Sequence, residues 1–395
     1  MTMFLTLDLP EAAPRWASSG TNAKKPPLGP QISGLTPTLN KMPIEWQNWI
    51  LKINYEWARR VVSPILMNWR GETNLGSTGV IYAVAFHPGV GRWVVADNGG
   101  NTRTSVDGEA WAAGTGLGGS VPIASNGAID TTRYIFPKSA DLVYNTTGTG
   151  AWTTIASATM GGSGAVNAIG TKYPDSDFTL VCRGIGASLS VRRATTGITG
   201  VWTGSTVQPP TVPASSFARS LLHIGGAVWL LLVGNTTAPE AVLYRSLDDG
   251  GSWSIVTGMS FPAASTGPNH IAYNQDDSRL VIVGSVSLSG SIEHIAYSDD
   301  LGDTWTTATI NKNGVGSSTA LYRVYYCGGS TWIAVATALS ISLNITVYVS
   351  TDNGENWRVS DIHSAVASTA EVIGCDGRKL IGFGDTANYI RTDAI

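Results

Sequence analysis

Charge is scarce in this chain. Only 13% of the 395 residues are Asp, Glu, Lys or Arg, and the formal balance is −3. That balance gives no electrostatic reason to expect nucleic acid or an anionic membrane surface as partner. Cysteine is scarcer still. Cys182, Cys327 and Cys375 form an odd set without CxxC spacing, which points away from a zinc site or a disulfide framework and toward small buried hydrophobes. No apolar run approaches the roughly 18 residues that a spanning helix requires, so membrane insertion is not expected. The first residues, MTMFLTLDLPEAAPRW, carry an acidic residue where a signal peptide is basic and lack a sustained apolar core, so synthesis as a soluble cytoplasmic protein is expected. The five histidines, His87, His223, His270, His294 and His363, show no HxxxH or related spacing, and neither a metal nor a cofactor is expected.

What the chain does have is glycine, 46 residues, and tryptophan, 14 residues, with abundant Ser, Thr and Val. This mixture reads as many short strands joined by tight turns, an all-β protein. Four phrases repeat: SVDGEAW, SLDDGGSW, SDDLGDTW and STDNGENW, ending at Trp111, Trp253, Trp305 and Trp357. The last three tryptophans are spaced by 52 and 52 residues, and Trp152 and Trp202 fill the gap before them after Thr/Gly-rich turns. Seven hydrophobic strands run in step, passing through Trp93, Tyr134, Leu180, Trp229, Leu280, Trp332 and Leu380. Only six phrases follow these seven strands. The terminal NYIRTDAI matches VYVSTDNG through Tyr389 and Asp393 and then stops, while MNWRGET around Trp69 resembles ENWRVSD around Trp357. The pattern predicts a seven-bladed β-propeller over residues 65–395, closed by an N-terminal strand that completes the last blade. Closure removes the open sheet edges that a single blade would expose.

Physically, SxDxGxxW is turn chemistry. The carboxylate accepts local N–H groups, Gly supplies positive φ, and Trp anchors the hairpin. The phrase resembles the Asp-box, or bacterial neuraminidase repeat, of sialidase-like propellers. The matching residues are Ser246, Asp248, Gly250, Trp253; Ser298, Asp300, Gly302, Trp305; and Ser350, Asp352, Gly354, Trp357, with Ser105, Asp107, Gly108 and Trp111 one residue shorter. The resemblance implies a scaffold role, since in that family the boxes sit at the blade periphery. A sialidase would need an arginine cluster for a carboxylated sugar and positioned acids for glycosidic cleavage. The Arg-Ile-Pro motif of that family is absent from the corresponding strand, GVIYAVAFHPG. Arg183, Arg245, Arg323 and Arg391 are scattered, and Glu109, Glu240, Glu293, Glu355 and Glu371 nearly exhaust the glutamates of the ring. Of these, Glu293 and Glu371 are the acids to test. No catalytic residue is expected, and a sialidase-like glycan hydrolase is the alternative reading. His87, His223 and His270 fall in or near first-strand positions close to the central channel.

Residues 1–42 are Pro- and Gly-rich without periodicity and read as an extended arm. Residues 43–64 place Trp46, Trp49, Ile50, Ile53 and Trp57 at helical spacing behind Pro43, an aromatic amphipathic α-helix that needs another surface to cover it. The order Pro14, Arg15, Trp16, Gly20, Thr21, Gly34, Pro43, Asn48, Trp49, Trp57 resembles the N-terminal segment of tailed-bacteriophage tail fibres and other tail proteins. The resemblance implies a virion structural protein of the tail. Arg15, Trp16, Trp46, Trp49, Ile53 and Trp57 would dock onto other tail proteins, tail symmetry would make it a homo-oligomer, and the propeller would bind host-surface glycan or a tail protein. A photosystem-type assembly-factor propeller is the third reading, disfavoured by the arm and by the absence of a signal or lipid-anchor sequence.

Overall fold

A computed structural model describes residues 69–73, 75, 79–122, 127–161, 164–172, 174, 176–184, 189–205, 216–234, 242–259, 267–285, 293–312, 319–338, 345–363, 372–375, 380–383 and 388–392. The chain divides into the units Met1–Ile65 and Leu66–Ile395, and every described residue belongs to the second. The arm and aromatic helix expected over 1–64, with Arg15, Trp16, Trp46, Trp49, Ile53 and Trp57, lie outside the described residues, as do Glu240, Glu371 and Asp393.

The strands follow one another as antiparallel sheets. β1 (Trp69–Thr73) is followed by β2–β5 (Ile81–His87, Arg92–Asp97, Thr102–Ser105, Ala112–Ala113) and β6–β9 (Ala128–Ile129, Tyr134–Lys138, Asp141–Asn145, Thr153–Ile155). After the single helical turn α1 (Ser157–Met160) come β10–β13 (Val166–Thr171, Thr179–Arg183, Ser190–Ala194, Trp202–Gly204) and β14–β17 (Phe217–Gly225, Val228–Gly234, Val242–Ser246, Ser254–Ile255). Next are β18–β21 (Gly267–Asn274, Arg279–Ser285, Glu293–Ser298, Thr306–Thr307) and β22 (Thr309–Asn311). The last strands are β23–β26 (Thr319–Gly328, Thr331–Ala338, Ile345–Ser350, Asn356–His363) and β27–β29 (Val372–Cys375, Leu380–Phe383, Asn388–Thr392). β1 is the outermost strand of the sheet β27-β28-β29, with Trp69 opposite Thr392 and Thr73 opposite Asn388.

The innermost strands touch in succession, β2 to β6, β10, β14, β18, β23 and β27, and β27 returns to β2. The protein is a β-propeller. The expectation of a seven-bladed propeller is corrected. Six sheets are four-stranded blades, and the remaining sheet has five strands in the order β22-β26-β25-β24-β23. Its outer strand β26 runs eight residues to His363, where most other outer strands have two or three, and this long edge takes β22 in parallel, Thr309 opposite Asn356. α1 is the only helix among the described residues, and none is long and apolar enough to cross a membrane.

Burial explains the sequence texture of each layer. Second strands lie between two neighbouring blades and are buried along their length, as in RWVVAD and VWLLLVG. First strands mix buried and half-buried residues, as in FARSLLHIG, because they also border the channel. Outer strands such as Ala112–Ala113 and Thr306–Thr307 are exposed. The hydrophobic clusters cross blade boundaries: Val281, Val283 and Ile295 pack with Leu321, Trp332, Tyr348 and Trp357 of the next sheet.

Antiparallel alternation gives the ring two unlike faces. One carries the hairpins joining first to second and third to fourth strands, including two-residue turns between Gly225 and Val228 and between Gly328 and Thr331. The other carries the remaining connections, which are unequal and range from the short Lys138–Asp141 turn to the long links from Ala113 to Ala128 and Gly204 to Phe217. Trp69 enters at the hairpin face, because β1 occupies a fourth-strand position and runs away from that face.

Candidate functional site

The repeated phrase forms a closed hydrogen-bonded turn. In SLDDGGSW the Ser246 hydroxyl donates to Asp248 Oδ1 at 2.8 Å and accepts the Gly250 N–H at 2.8 Å. Asp248 also accepts the Ser252 N–H at 2.8 Å and its hydroxyl at 2.7 Å. Ser298 and Asp300 repeat this with Gly302 and Thr304, and Ser350 and Asp352 with Gly354 and Asn356. In the shorter copy, Asp107 accepts the N–H groups of Glu109 and Ala110, at 2.8 and 2.9 Å. In the eroded copy before Trp152, Asn145 Oδ1 replaces the serine oxygen and accepts the N–H of Thr147 and Gly148. These carboxylates are occupied by their own turns.

Burial acts to raise the pKa of Asp107, Asp248, Asp300 and Asp352, but the turn's hydrogen bonds outweigh it and hold all four below the ordinary carboxylate value. A depressed folded-state pKa contributes stability above the unfolded value of about 4 that is lost as pH falls through the folded value. Urea midpoints should therefore fall on acidification below about pH 4. Asp300→Asn should be less stable than wild type at neutral pH, with the gap narrowing toward pH 2. A gap independent of pH would contradict this linkage.

The residue before the turn glycine has positive φ in three copies: Asp249 at 58°, Leu301 at 59° and Asn353 at 63°. Its identity tracks the second strand beside it. Trp229 Nε1–H donates to Asp249 Oδ1 at 3.3 Å, and Trp332 Nε1–H donates to Asn353 Oδ1 at 3.0 Å. Where the strand residue is Leu280, its partner is Leu301 in the same apolar cluster. The short copy lacks this residue, and the Trp93 indole nitrogen beside it is buried without a partner. Asn353→Leu should cost about 1–3 kcal/mol by orphaning the Trp332 indole. Adding Trp332→Leu should then cost less than the two single losses combined, a coupling that a urea-denaturation double-mutant cycle measures.

The remaining sequence candidates do not converge. Arg183 is fully buried, and its guanidinium donates to the carbonyls of Ala140, Ser157, Gly161 and Gly164, tying α1 to two blades. Arg245 pairs with Asp303 at 2.8 Å, and Arg391 lies opposite Arg70 in the β29–β1 pairing. Glu293 is buried, pairs with Lys312 and accepts the Tyr348 hydroxyl at 3.1 Å, a bond that ties two blades together. Glu109 is exposed, and Glu355 pairs with Arg279 at 3.1 Å. Arg279 also holds Asp299 through two bonds of 2.6 and 2.7 Å, clamping adjacent blades.

Of the histidines, His87 packs against the Tyr134 ring at 5.4 Å, and burial lowers its pKa despite nearby Asp130. His223 Nε2–H donates to the Gly226 carbonyl at 3.1 Å. His294 is buried, which lowers its pKa, and His363 lies in β26. Cys182 is buried and Cys327 half-buried. Among the described residues no cluster of three or more His, Cys, Asp or Glu could hold a metal.

The central channel holds a cavity of about 510 Å³ lined by the innermost strands of six successive sheets. That volume suits a small ligand or the end of a larger one. Its polar lining was not legible in the repeat pattern. Five inner strands carry register shifts, between Ile81 and Ala83, Val166 and Ala168, Ala218 and Ser220, Pro268 and His270, and Leu321 and Arg323. Such bulges re-aim side chains. Arg219 and Asn167 lie within their bulges, while His270 and Arg323 lie beside theirs, and all four line the cavity. Asn167 Nδ2–H donates to the Gly184 carbonyl at 2.6 Å. His270 is buried, and burial first, then the Arg323 charge, holds its pKa well below the usual value, so it is a neutral imidazole. The lining residues include no Asp or Glu among those described. Nearer the hairpin face the channel is aromatic, with Phe86, Tyr273 and Tyr326 at equivalent register positions.

These features define a β-propeller with a polar, cation-bearing channel and self-contained peripheral turns. Comparison with solved structures returns the same architecture. The structure of U3-55K aligns at a TM-score of 0.58 with 9% identity, covering 82% of this chain and 98% of that one. The likeness extends to 1092 chains of known structure, so it identifies the fold and nothing more specific. No protein-family model matches the sequence. No curated protein matches it either.

Proposed function

We propose that this chain is a tail-associated virion protein of a tailed bacteriophage, anchored by its N-terminal segment and displaying the propeller as a non-catalytic binding domain. The observation that carries the reading is the ordered set Pro14, Arg15, Trp16, Gly20, Thr21, Gly34, Pro43, Asn48, Trp49 and Trp57, which resembles the N-terminal segment of tail fibres and related tail proteins. The partners under this reading are neighbouring tail proteins, further copies of the chain and host-surface glycan.

Two features support binding over hydrolysis. The repeated turns, which resemble Asp-boxes, have their carboxylates filled by local donors. The channel brings arginine and histidine together without a described carboxylate to serve as acid or base, which glycoside hydrolysis requires. The test is to probe purified virions for the chain by immunogold labelling and mass spectrometry, with Trp16→Ala and Trp49→Ala variants in parallel. The chain should be present and both variants depleted. Its absence from virions would overturn the reading, and aryl-glycoside release abolished by Glu293→Gln would favour the sialidase-like alternative.

A further inference from the structure

We propose that the propeller holds an oxyanion-bearing ligand through Arg219 and Arg323, in the part of the channel farther from the hairpin face. Two observations meet there. Arg219 and Arg323 stand on β14 and β23, one sector apart with β18 between them, and both line the same cavity. Asn167 and the neutral His270 line it with them, adding polar atoms without adding charge. Guanidinium groups recognise carboxylate, sulfate and phosphate oxygens through paired hydrogen bonds, whereas neutral sugars have no comparable need of them.

Geometry sets the direction. β1 starts at the hairpin face, with Trp69 opposite Thr392. Arg219 lies near the start of β14 and Arg323 midway along β23, both beside their bulges and farther from the hairpin face than Tyr326 and its equivalents. The anion site does not depend on the proposed virion attachment.

Two sources could supply the anion, a free oxyanion or an acidic residue of a surface polysaccharide, and the experiment separates them. The full-length protein is titrated calorimetrically at low ionic strength with inorganic phosphate, with oligogalacturonate and with neutral malto-oligosaccharide. Oligogalacturonate binding tighter than phosphate identifies the polysaccharide, and phosphate binding alone identifies the free anion. In either case Arg219→Gln should weaken binding at least about tenfold, the loss of a charged hydrogen bond, at unchanged thermal midpoint. Arg323→Gln should do the same. Because Arg323 is buried, the half-buried Arg219 keeps the test decisive if R323Q does not fold. Absence of anion binding, equal binding of the neutral oligosaccharide, or unchanged affinity in R219Q would each overturn the proposal. Virion incorporation of R219Q is read separately: normal incorporation without anion binding would remove only this inference, and anion binding by a chain absent from virions would remove only the attachment.

Discussion

Trp332→Ala is expected to lower the unfolding free energy by about 3–5 kcal/mol. Trp332 is fully buried in a cluster that joins two sheets, against Val281 and Val283 on one side and Tyr348 and Trp357 on the other. Truncation would leave a cavity at a blade boundary, and the closed ring restricts how far the two sheets can approach to fill it. The indole hydrogen bond to Asn353 would be lost as well. Trp305→Ala supplies the contrast, because Trp305 is only half-buried at the edge of its cluster, and its loss should be clearly smaller. Urea denaturation checks both variants. A Trp332→Ala cost under about 1 kcal/mol would mean that the blades are not held together through this layer.

Gly100→Ala should destabilise the protein by about 3 kcal/mol or more, combining a backbone penalty with a collision. Gly100 has φ of 82°, and an added Cβ would stand 2.0 Å from the Gly119 carbonyl oxygen, a backbone atom. Its N–H bonds Asp97 at 2.9 Å and its carbonyl accepts from Leu117 at 2.8 Å, so the turn is held on both sides. Gly91 separates the two terms. Its φ is 63°, and nothing lies within 4 Å of the added Cβ, so Gly91→Ala isolates the conformational cost of about 1–2 kcal/mol. Equal costs for the two variants would refute the steric part of the argument.

The repeat is legible in the sequence because each blade must bury the same layers. The strands through Trp93, Trp229 and Trp332 are apolar along their length since neighbouring blades cover both sides. The turn residues recur because the same carboxylate and glycine close the hairpins before Trp253, Trp305 and Trp357. The split between the chain's ends is also visible, as MNWRGET at one end and NYIRTDAI at the other, and β1 and β29 pair. The seven-blade count read from the spacing is not borne out: six sheets are four-stranded blades and one sheet has five strands. The 52-residue period does not register that β26 continues to His363 or that β22 joins it in parallel, since edge pairing depends on which backbone groups a neighbouring sheet leaves open.

The candidate site was far less legible. Arg183 and Arg323 look equivalent in the sequence, each an arginine near an apolar strand. Four backbone carbonyls surround the first, while the second borders the channel. Glu293 reads as a spare acid until Lys312 and Tyr348 are found beside it. By itself the sequence determined the all-β class, the repeating turn and the layers each blade must bury, because these follow from local spacing and hydrophobicity. Only the tertiary structure decided which polar residues face the channel, since bulges and blade-to-blade contacts set side-chain direction. It alone also decided that Trp69 enters at the hairpin face, from which Arg219 and Arg323 lie farther than Tyr326 and its equivalents, because strand direction around a closed ring is a property of the whole assembly.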